Sequence, residues 1–490
     1  MKIISIDIGT TNMKASLLEY SGDEVIVREM VNTSHVERRE GKVHEHSPRH
    51  IINEVKRLIQ HLVRAWGQPD AIVFSNYLFS LVIVGRNGEL LSNIITWLDR
   101  RSEEAVKHVD KYAHEIYRRT GCPPLYIYDL PKVIYFSRAT PEIIRKSMLL
   151  DVKSMLMMHL TGEIVTDLST ASGTYQFLNI HTLEWDDYVL NLAGVSEDQL
   201  PRVEEGDYTL HLKPEVANEV GVSAKTPVVL GLYDGGSMIF GLTGGLSGVG
   251  VINMGTSSML RVVSSKPIID ASGSMNLQTY YLYRSTWVPG SALNNCGIVL
   301  EYFAKLIGMK VEELISILYN VDVDRYLEIP TPTVIPLLYP ERYPELAKDI
   351  GISIVGLRED MDIRVLIASI TKGLVFMLKF IDEAVQSTGA TYNYLVVGGK
   401  IAQIPLVRIV LANVFNREAM FTEVPDAVHL GNALMALTAL KVASPRDVQK
   451  ISVKFVKETV KPSPKVFAKL QREYELFKSI LKSLYSQPRS

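Results

Sequence analysis

Apolar positions come in short blocks or in alternation over residues 2–6, 14–20 and 24–31, which predicts three successive strands, the last two joined by a hairpin turn at Ser21-Gly22-Asp23. Helical spacing follows over residues 51–66, then a strand over 71–74 and another over 81–84 that runs to the Asn87-Gly88 turn. Residues 102–120, 131–138 and 154–160 read as helices. A buried strand at 227–230 leads to Tyr233-Asp234-Gly235-Gly236, and from Ser247 the opening strand-and-turn pattern begins again. A long apolar helix at 363–384, a strand at 394–397 ending in Gly398-Gly399, and a helix at 405–415 complete the second stretch. Past about Ala443 charge rises, and Phe467, Leu470, Tyr474, Phe477, Leu481 and Leu484 recur three and four apart as one helical stripe, read as a docking face rather than a membrane span. Strands before and between helices predict an α/β protein.

The restart is more than a general likeness. Ile6-Asp7-Ile8-Gly9-Thr10-Thr11-Asn12-Met13 near the start is echoed by Ile252-Asn253-Met254-Gly255-Thr256-Ser257-Ser258-Met259. Each copy follows an apolar strand and turns on Gly-Thr with small hydroxyl residues, a geometry that can aim backbone N–H groups and hydroxyls at phosphate oxygens. One copy alone reads as an ordinary hairpin; two copies in a duplicated setting favour a polyphosphate held from both sides. Asp7 stands where the second copy has Asn253, so only the first supplies a carboxylate for a metal.

Composition narrows the class. The 490 residues allow two to four domains, and the formal net charge of −2 advertises no basic face for nucleic acid or membrane. Two cysteines without CxxC spacing predict neither a disulfide frame nor a zinc cluster. The opening residues enter directly into a strand pattern and no apolar run reaches membrane-spanning length, so the expectation is a soluble cytoplasmic protein.

Four features are candidates for chemistry. The first is the Asp7-x-Gly9-Thr10-Thr11 turn with Lys14 behind it; the Walker loop GxxxxGK[ST] and a helix-opening GxGxxG are both absent. The second is Asp234 at a strand's C-terminal end, where phosphoryl transfer to a hydroxyl needs a group that positions and accepts the proton. The third is Gly398-Gly399 between a strand and a helix, where a flat ligand can approach the backbone. The fourth is Trp97-Leu98-Asp99-Arg100-Arg101, equally a sugar-binding surface and a salt-bridged helix start. His44-Glu45-His46 could share a face only in a strand; with no partner ligand visible it carries no expectation of a metal.

These residues together resemble the FGGY carbohydrate kinases of the actin, heat-shock and sugar kinase superfamily. The matching motifs are Asp7-x-Gly9-Thr10-Thr11, Trp97-x-Asp99-x-Arg101, Thr120-Gly121 with Lys132, and Leu160-Thr161-Gly162-Glu163 through Asp167 to Ala171-Ser172. Asp234, Gly255-Thr256-Ser257, Glu341-Arg342, Gly398-Gly399 and Gly431-Asn432-Ala433 extend the match to most of the chain. The resemblance implies two ribonuclease-H-like (actin-like ATPase) domains around a central cleft, spanning residues 1–245 and 246–443 with a helical tail at 444–490. It implies ATP and Mg²⁺, with Asp7 on the metal side, Thr10, Thr11 and Lys14 facing the transferred phosphate, and Gly255, Thr256 and Ser257 holding the nucleotide phosphates. Gly398, Gly399 and Lys400 would line the adenosine pocket, Asp234 would be the catalytic base, and Ser75, Asn76, Phe79, Trp97, Asp99 and Asp234 would face a small sugar, sugar acid or polyol.

Departures from the family pattern bear on the substrate. Gly399 leads into a loop one residue longer than usual, Ala412-Asn413 replaces Ala-Asp, and Lys372-Gly373 stands where Glu-Gly is common. Glycerol kinases place Arg-Glu, and xylulokinases and gluconokinases a His, where this chain has Leu78-Phe79. Thr120-Gly121-Cys122-Pro123, His181 to Asp186 and Asn294 to Leu300 resemble the gluconokinase branch, so gluconate leads and xylulose or another pentulose or polyol follows. A chaperone-like ATPase or an idle sensor of the same superfamily are the other classes, and the resemblance leaves a homodimer open.

Overall fold

The computed structural model describes residues 1–486. They form two compact units: Met1–Leu246 with Thr279–Trp287 and Val424–Lys454, and Ser247–Gln278 with Val288–Glu423 and the chain from Phe455.

In the first unit the opening pattern becomes strands Lys2–Ile8, Asn12–Ser21 and Glu24–Ser34, antiparallel in series. Ile3, Ile4 and Ile6 are fully buried, as expected of a strand covered on both faces. Lys2–Ile8 also pairs in parallel with Ala71–Asn76, which pairs in parallel with Pro227–Val229. Strand Thr209–His211 closes that edge, antiparallel to Pro227–Val229. Helix Pro48–Trp66 buries Ile51, Val55, Leu58, Ile59 and Leu62 in the same core, and its first turn is capped by the Ser47 hydroxyl.

The second unit repeats this plan strand for strand. Val249–Met254 is antiparallel to Ser258–Val263, which is antiparallel to Trp287–Leu293. On its other side Val249–Met254 pairs in parallel with Tyr394–Gly398, then in parallel with Ala419–Thr422, and Val456–Val460 closes the edge antiparallel. The duplication read from two short motifs therefore extends to the order and direction of six strands. Helix Pro464–Ser486 buries Leu470, Tyr474, Phe477 and Leu481 against this unit's core, so the C-terminal stripe is a docking face. Among the described residues no helix is long and apolar enough to cross a membrane.

Two details differ from the sequence pattern. The helix expected over 102–120 is interrupted by a tightened turn at Asp110–Tyr112 between Glu103–Val109 and Ala113–Thr120; apolar spacing survives one such turn, so periodicity does not reveal it. The compact units also do not follow the linear boundaries, because Val424–Lys454 packs with the first unit. Helix Ala427–Ala439 lies directly on helix Asp234–Thr243, and helix Pro445–Val453 follows it onto the same unit.

Gly431 makes that docking close. A Cβ built on it would stand 1.8 Å from the Ser237 carbonyl oxygen, a distance no side chain tolerates. Gly431→Ala is expected to cost about 3 kcal/mol through forced separation of the two helices, seen as a lowered Tm in calorimetry. A Tm equal to that of the native protein would refute this account of the packing.

Candidate active site

Parallel pairing brings the first unit's chemistry to one end of its sheet. Asp7 stands beside Ser75, and Ile8 beside Asn76, in the register of neighbouring strands. Tyr233 pairs with Asn76 just beyond the third strand, and Asp234 opens helix Asp234–Thr243 immediately after it. Across the hairpin Asp7 faces Lys14. Carboxyl ends of parallel strands are where α/β sheets present ligand-binding groups, and Asp7, Ser75, Asn76 and Asp234 all collect there.

A buried polar network holds this edge. The Ser75 hydroxyl donates to Asp7 Oδ1 at 2.8 Å, and Asn432 Nδ2 donates to both Ser75 Oγ and Ser5 Oγ at 2.9 Å. Asn432 Oδ1 accepts from Ser237 Oγ at 2.7 Å, and Ser5 Oγ shares a 2.7 Å hydrogen bond with His429 Nδ1. Burial lowers the His429 pKa to about 4, so the ring is neutral. Lys14 Nζ donates to Asp426 Oδ2 at 2.9 Å, and Asp426 caps helix Ala427–Ala439 through the Val428 and His429 amides.

Electrostatics at this edge are unbalanced. Burial, then the nearby Asp234 and Asp426 carboxylates, push the Asp7 pKa up to about 7 against the opposing effects of Ser75 and Lys14. Asp426 is held below the usual carboxylate range although burial opposes it, with Lys14 and the His429 backbone amide the stabilising neighbours. Three carboxylates share one lysine, and oxygen-only donors of this kind suit a hard divalent cation such as Mg²⁺.

The first Gly-Thr turn projects from this edge with Thr11 exposed and Thr10 half-buried. Trp97 Nε1 donates to Thr10 Oγ1 at 3.1 Å, and His35 Nε2 donates to the Gly9 carbonyl at 2.6 Å. Asp99 faces inward. Its carboxylate accepts from the His44 amide, the Arg101 amide and Arg101 Nε, each at 3.0 Å, and it is 2% exposed. Arg101 also reaches Glu45 at 2.5 Å, so the Trp97-x-Asp99-x-Arg101 motif forms a clasp that positions the indole.

The departure at Leu78-Phe79 occupies a constrained loop. Phe79 has a left-handed backbone, φ 66°, and its ring lies edge-on to Tyr128 at 5.2 Å. Its carbonyl accepts from Lys132 Nζ at 2.7 Å, and Lys132 is buried beside Asp129 at 3.1 Å. Burial lifts the Asp129 pKa to about 6 and pulls Lys132 down. Leu78 fills the space above Gly173.

In the second unit Asn253 stands beside Gly398 in parallel register, so the second Gly-Thr turn and Gly398-Gly399 meet at one sheet end. Gly399 has φ 96°, and a Cβ there would lie 2.3 Å from the Met254 carbonyl oxygen, so only glycine allows this approach. Thr256, Ser257 and Lys400 are exposed. The turn's own carbonyls bind the start of helix Gly297–Leu306: Gly255 accepts from the Gly297 amide at 2.9 Å and Thr256 from the Ile298 amide at 3.1 Å. Glu341 accepts from both the amide and Nδ2 of Asn295, and burial raises its pKa to about 7. The unusual Lys372 is buried and donates to Glu473 at 2.6 Å, tethering the C-terminal helix.

Residues 2–241 match the FGGY family of carbohydrate kinases, N-terminal domain, and residues 250–440 match the C-terminal domain of the same family. The chain belongs to the FGGY carbohydrate kinases. It is thus a sugar kinase, and ATP is the phosphate donor that membership in this family implies. A gluconokinase of Bacillus licheniformis is 27% identical over 463 residues, spanning 89% of this chain and 87% of the relative. A xylulose kinase of Lactococcus lactis subsp. lactis is 24% identical over 495 residues, spanning 98% and 96%. The gluconate kinase structure from Lactobacillus acidophilus matches the FGGY fold seen here with a TM-score of 0.88 at 24% identity, covering 99% of this chain and 98% of that one.

Asp426 and His429 lie outside the motifs legible in the sequence of this FGGY chain, and Asn432 enters there only as part of one. A helix-capping Asp before an apolar run is the visible sign of Asp426. Nothing in the sequence marks its return to Lys14, more than 400 residues away.

Proposed function

We propose that this FGGY kinase transfers the γ-phosphoryl group of ATP to a hydroxyl of gluconate. Asp234 acts as the base that orients the hydroxyl and accepts its proton as the new phosphate ester forms. The observation that carries the assignment is the placement of Asp234 at the same strand ends as Asp7, near enough for its charge to raise the Asp7 pKa. Thr10, Thr11 and Lys14 serve the transferred phosphate, with Lys14 held ready by Asp426. Gly255, Thr256 and Ser257 serve the nucleotide phosphates, and Gly398, Gly399 and Lys400 the adenosine.

Asp7 is the residue that would hold Mg²⁺, since the excess of carboxylates around it suits a cation; Mg²⁺ would supply neutralisation of phosphate charge. Ser75, Asn76 and Asp99 act by positioning, because their polar groups are already engaged within the protein: Asn76 with the Tyr77 carbonyl and Thr170, Ser75 with Asp7, and Asp99 with Arg101. Trp97 and Phe79 supply apolar walls.

Gluconate leads because the 27%-identical relatives from Bacillus licheniformis and Bacillus subtilis are both named gluconokinase. ADP release with Mg²⁺-ATP, measured against gluconate, xylulose, ribulose and glycerol, tests this. Stimulation by gluconate well above the other three is expected. Stimulation by xylulose alone would move the assignment to the pentulose branch, and a flat response to all four would reject it.

A further inference from the structure

We propose that Glu37, His44 and His46 form a binding site for one divalent transition metal of the zinc class, separate from the Asp7 region. The sequence offered only the His-x-His pair. Folding places Val43–His46 in a strand, which turns both imidazoles to one face, and pairs it antiparallel with Glu37–Glu40 so that Glu37 stands opposite His46. The third ligand thus comes from the facing strand.

One ligand atom from each of the three residues lies within 4.8 Å of the others. His46 Nε2 is 3.7 Å from Glu37 Oε1, and His44 Nε2 is 3.9 Å from Glu37 Oε2. Zinc–ligand bonds near 2.1 Å place tetrahedral donors about 3.4 Å apart, so with all three donors inside 4.8 Å the widest pair has to close by no more than about 1.4 Å. The spacing is too long for hydrogen bonds and suited to an ion between the groups.

The imidazole partners supply the second observation. The His46 side chain is fully buried and that of His44 is 7% exposed, yet Nε2 of each has no hydrogen-bond partner. Leaving such nitrogens unsatisfied is costly, and native interiors rarely do it. Their Nδ1 atoms, by contrast, are engaged: His44 with Thr96 Oγ1 at 2.7 Å, His46 with the Tyr77 hydroxyl at 3.0 Å. The Thr96 hydroxyl spends its proton on the His44 carbonyl, so it accepts from Nδ1–H and leaves the Nε2 lone pair of His44 for a metal. The Tyr77 hydroxyl can accept from His46 in the same way.

Two imidazoles and one carboxylate are borderline donors, matched to zinc, cobalt or nickel and poorly to Mg²⁺ or Ca²⁺. Arg39 Nε holds Glu37 Oε2 at 2.6 Å and leaves Oε1 for the ion. Arg39 is 65% exposed on its side chain and free to turn to solvent. The fourth position would fall to water, as in open zinc sites. His35, stacked on His46 at 4.2 Å, adjoins the site and carries its hydrogen bond to Gly9.

Titration of the chelator-treated, nucleotide-free protein with Co²⁺ tests the assignment. The native chain is expected to bind one Co²⁺ with a tetrahedral visible absorption band, and Glu37→Gln and His44→Gln to weaken that binding at least tenfold. Glu37 lies at the surface, so Glu37→Gln decides the matter even if the histidine variant fails to fold. Absence of saturable binding by the native chain, or native affinity in a folded variant, overturns the proposal.

Discussion

Asp234→Asn is expected to lower kcat by about 10²–10⁴, the usual contribution of a positioned general base, while nucleotide binding stays near native. Asparagine preserves the side-chain length and the oxygen that accepts from the Gly235 amide at 2.7 Å, so the start of helix Asp234–Thr243 is kept and only proton acceptance is lost. ADP release and nucleotide titration calorimetry on the same sample separate the two effects. Turnover within tenfold of native would remove Asp234 from the role of base. The substitution also takes away the neighbouring charge that raises the Asp7 pKa, so Asp7 should ionise at lower pH in the variant.

Asp7→Asn should act in opposite senses on activity and stability. Turnover with Mg²⁺-ATP should be lost, because the amide carries no charge for the cation. Stability in metal-free buffer should rise at pH 8 and stay unchanged near pH 4. Burial and like charges raise the Asp7 pKa from its ordinary 3.8 to about 7, and this sets the sign. Between those values the folded chain keeps a proton that the unfolded chain has released, so stability falls as pH rises through the window and is lowest above it. The full difference is on the order of 4 kcal/mol, at about 1.4 kcal/mol for each pH unit separating the two values. Thermal unfolding of both proteins at pH 4, 6 and 8 measures it. A native protein as stable as the variant at pH 8 would show that Asp7 ionises without penalty.

Much of this was legible because duplication leaves marks in short motifs. Two Gly-Thr turns, each after an apolar strand, sufficed to expect two halves, and six strands in matching order and direction followed. Asp7 and Asp234 were visible as acidic residues beside glycines at strand ends, although Asp-Gly is also a common turn signal, and folding brings both to the same end of one sheet. What stayed hidden depends on register and return. Glu37 becomes a neighbour of His46 only once their strands pair. The inward turn of Asp99 depends on Arg101 and on the amide of His44, which no local pattern reports. Asn432 is a motif residue in the sequence, and its bonds to Ser5, Ser75 and Ser237 exist only because helix Ala427–Ala439 returns to the first unit.

That return governs how the protein can be made. A ribosome that has finished residue 246 has delivered most of the first unit but none of Val424–Lys454, so helix Asp234–Thr243 lacks the two helices that pack on it. Ser5 and Ser75 then wait without Asn432 while more than 180 further residues are synthesised. The first half to emerge is therefore among the last to be completed, and helix Asp234–Thr243 lacks its partner helix until residues 427–439 have been made. A chain split between the two repeats would leave that helix, in the first fragment, without its partner helix.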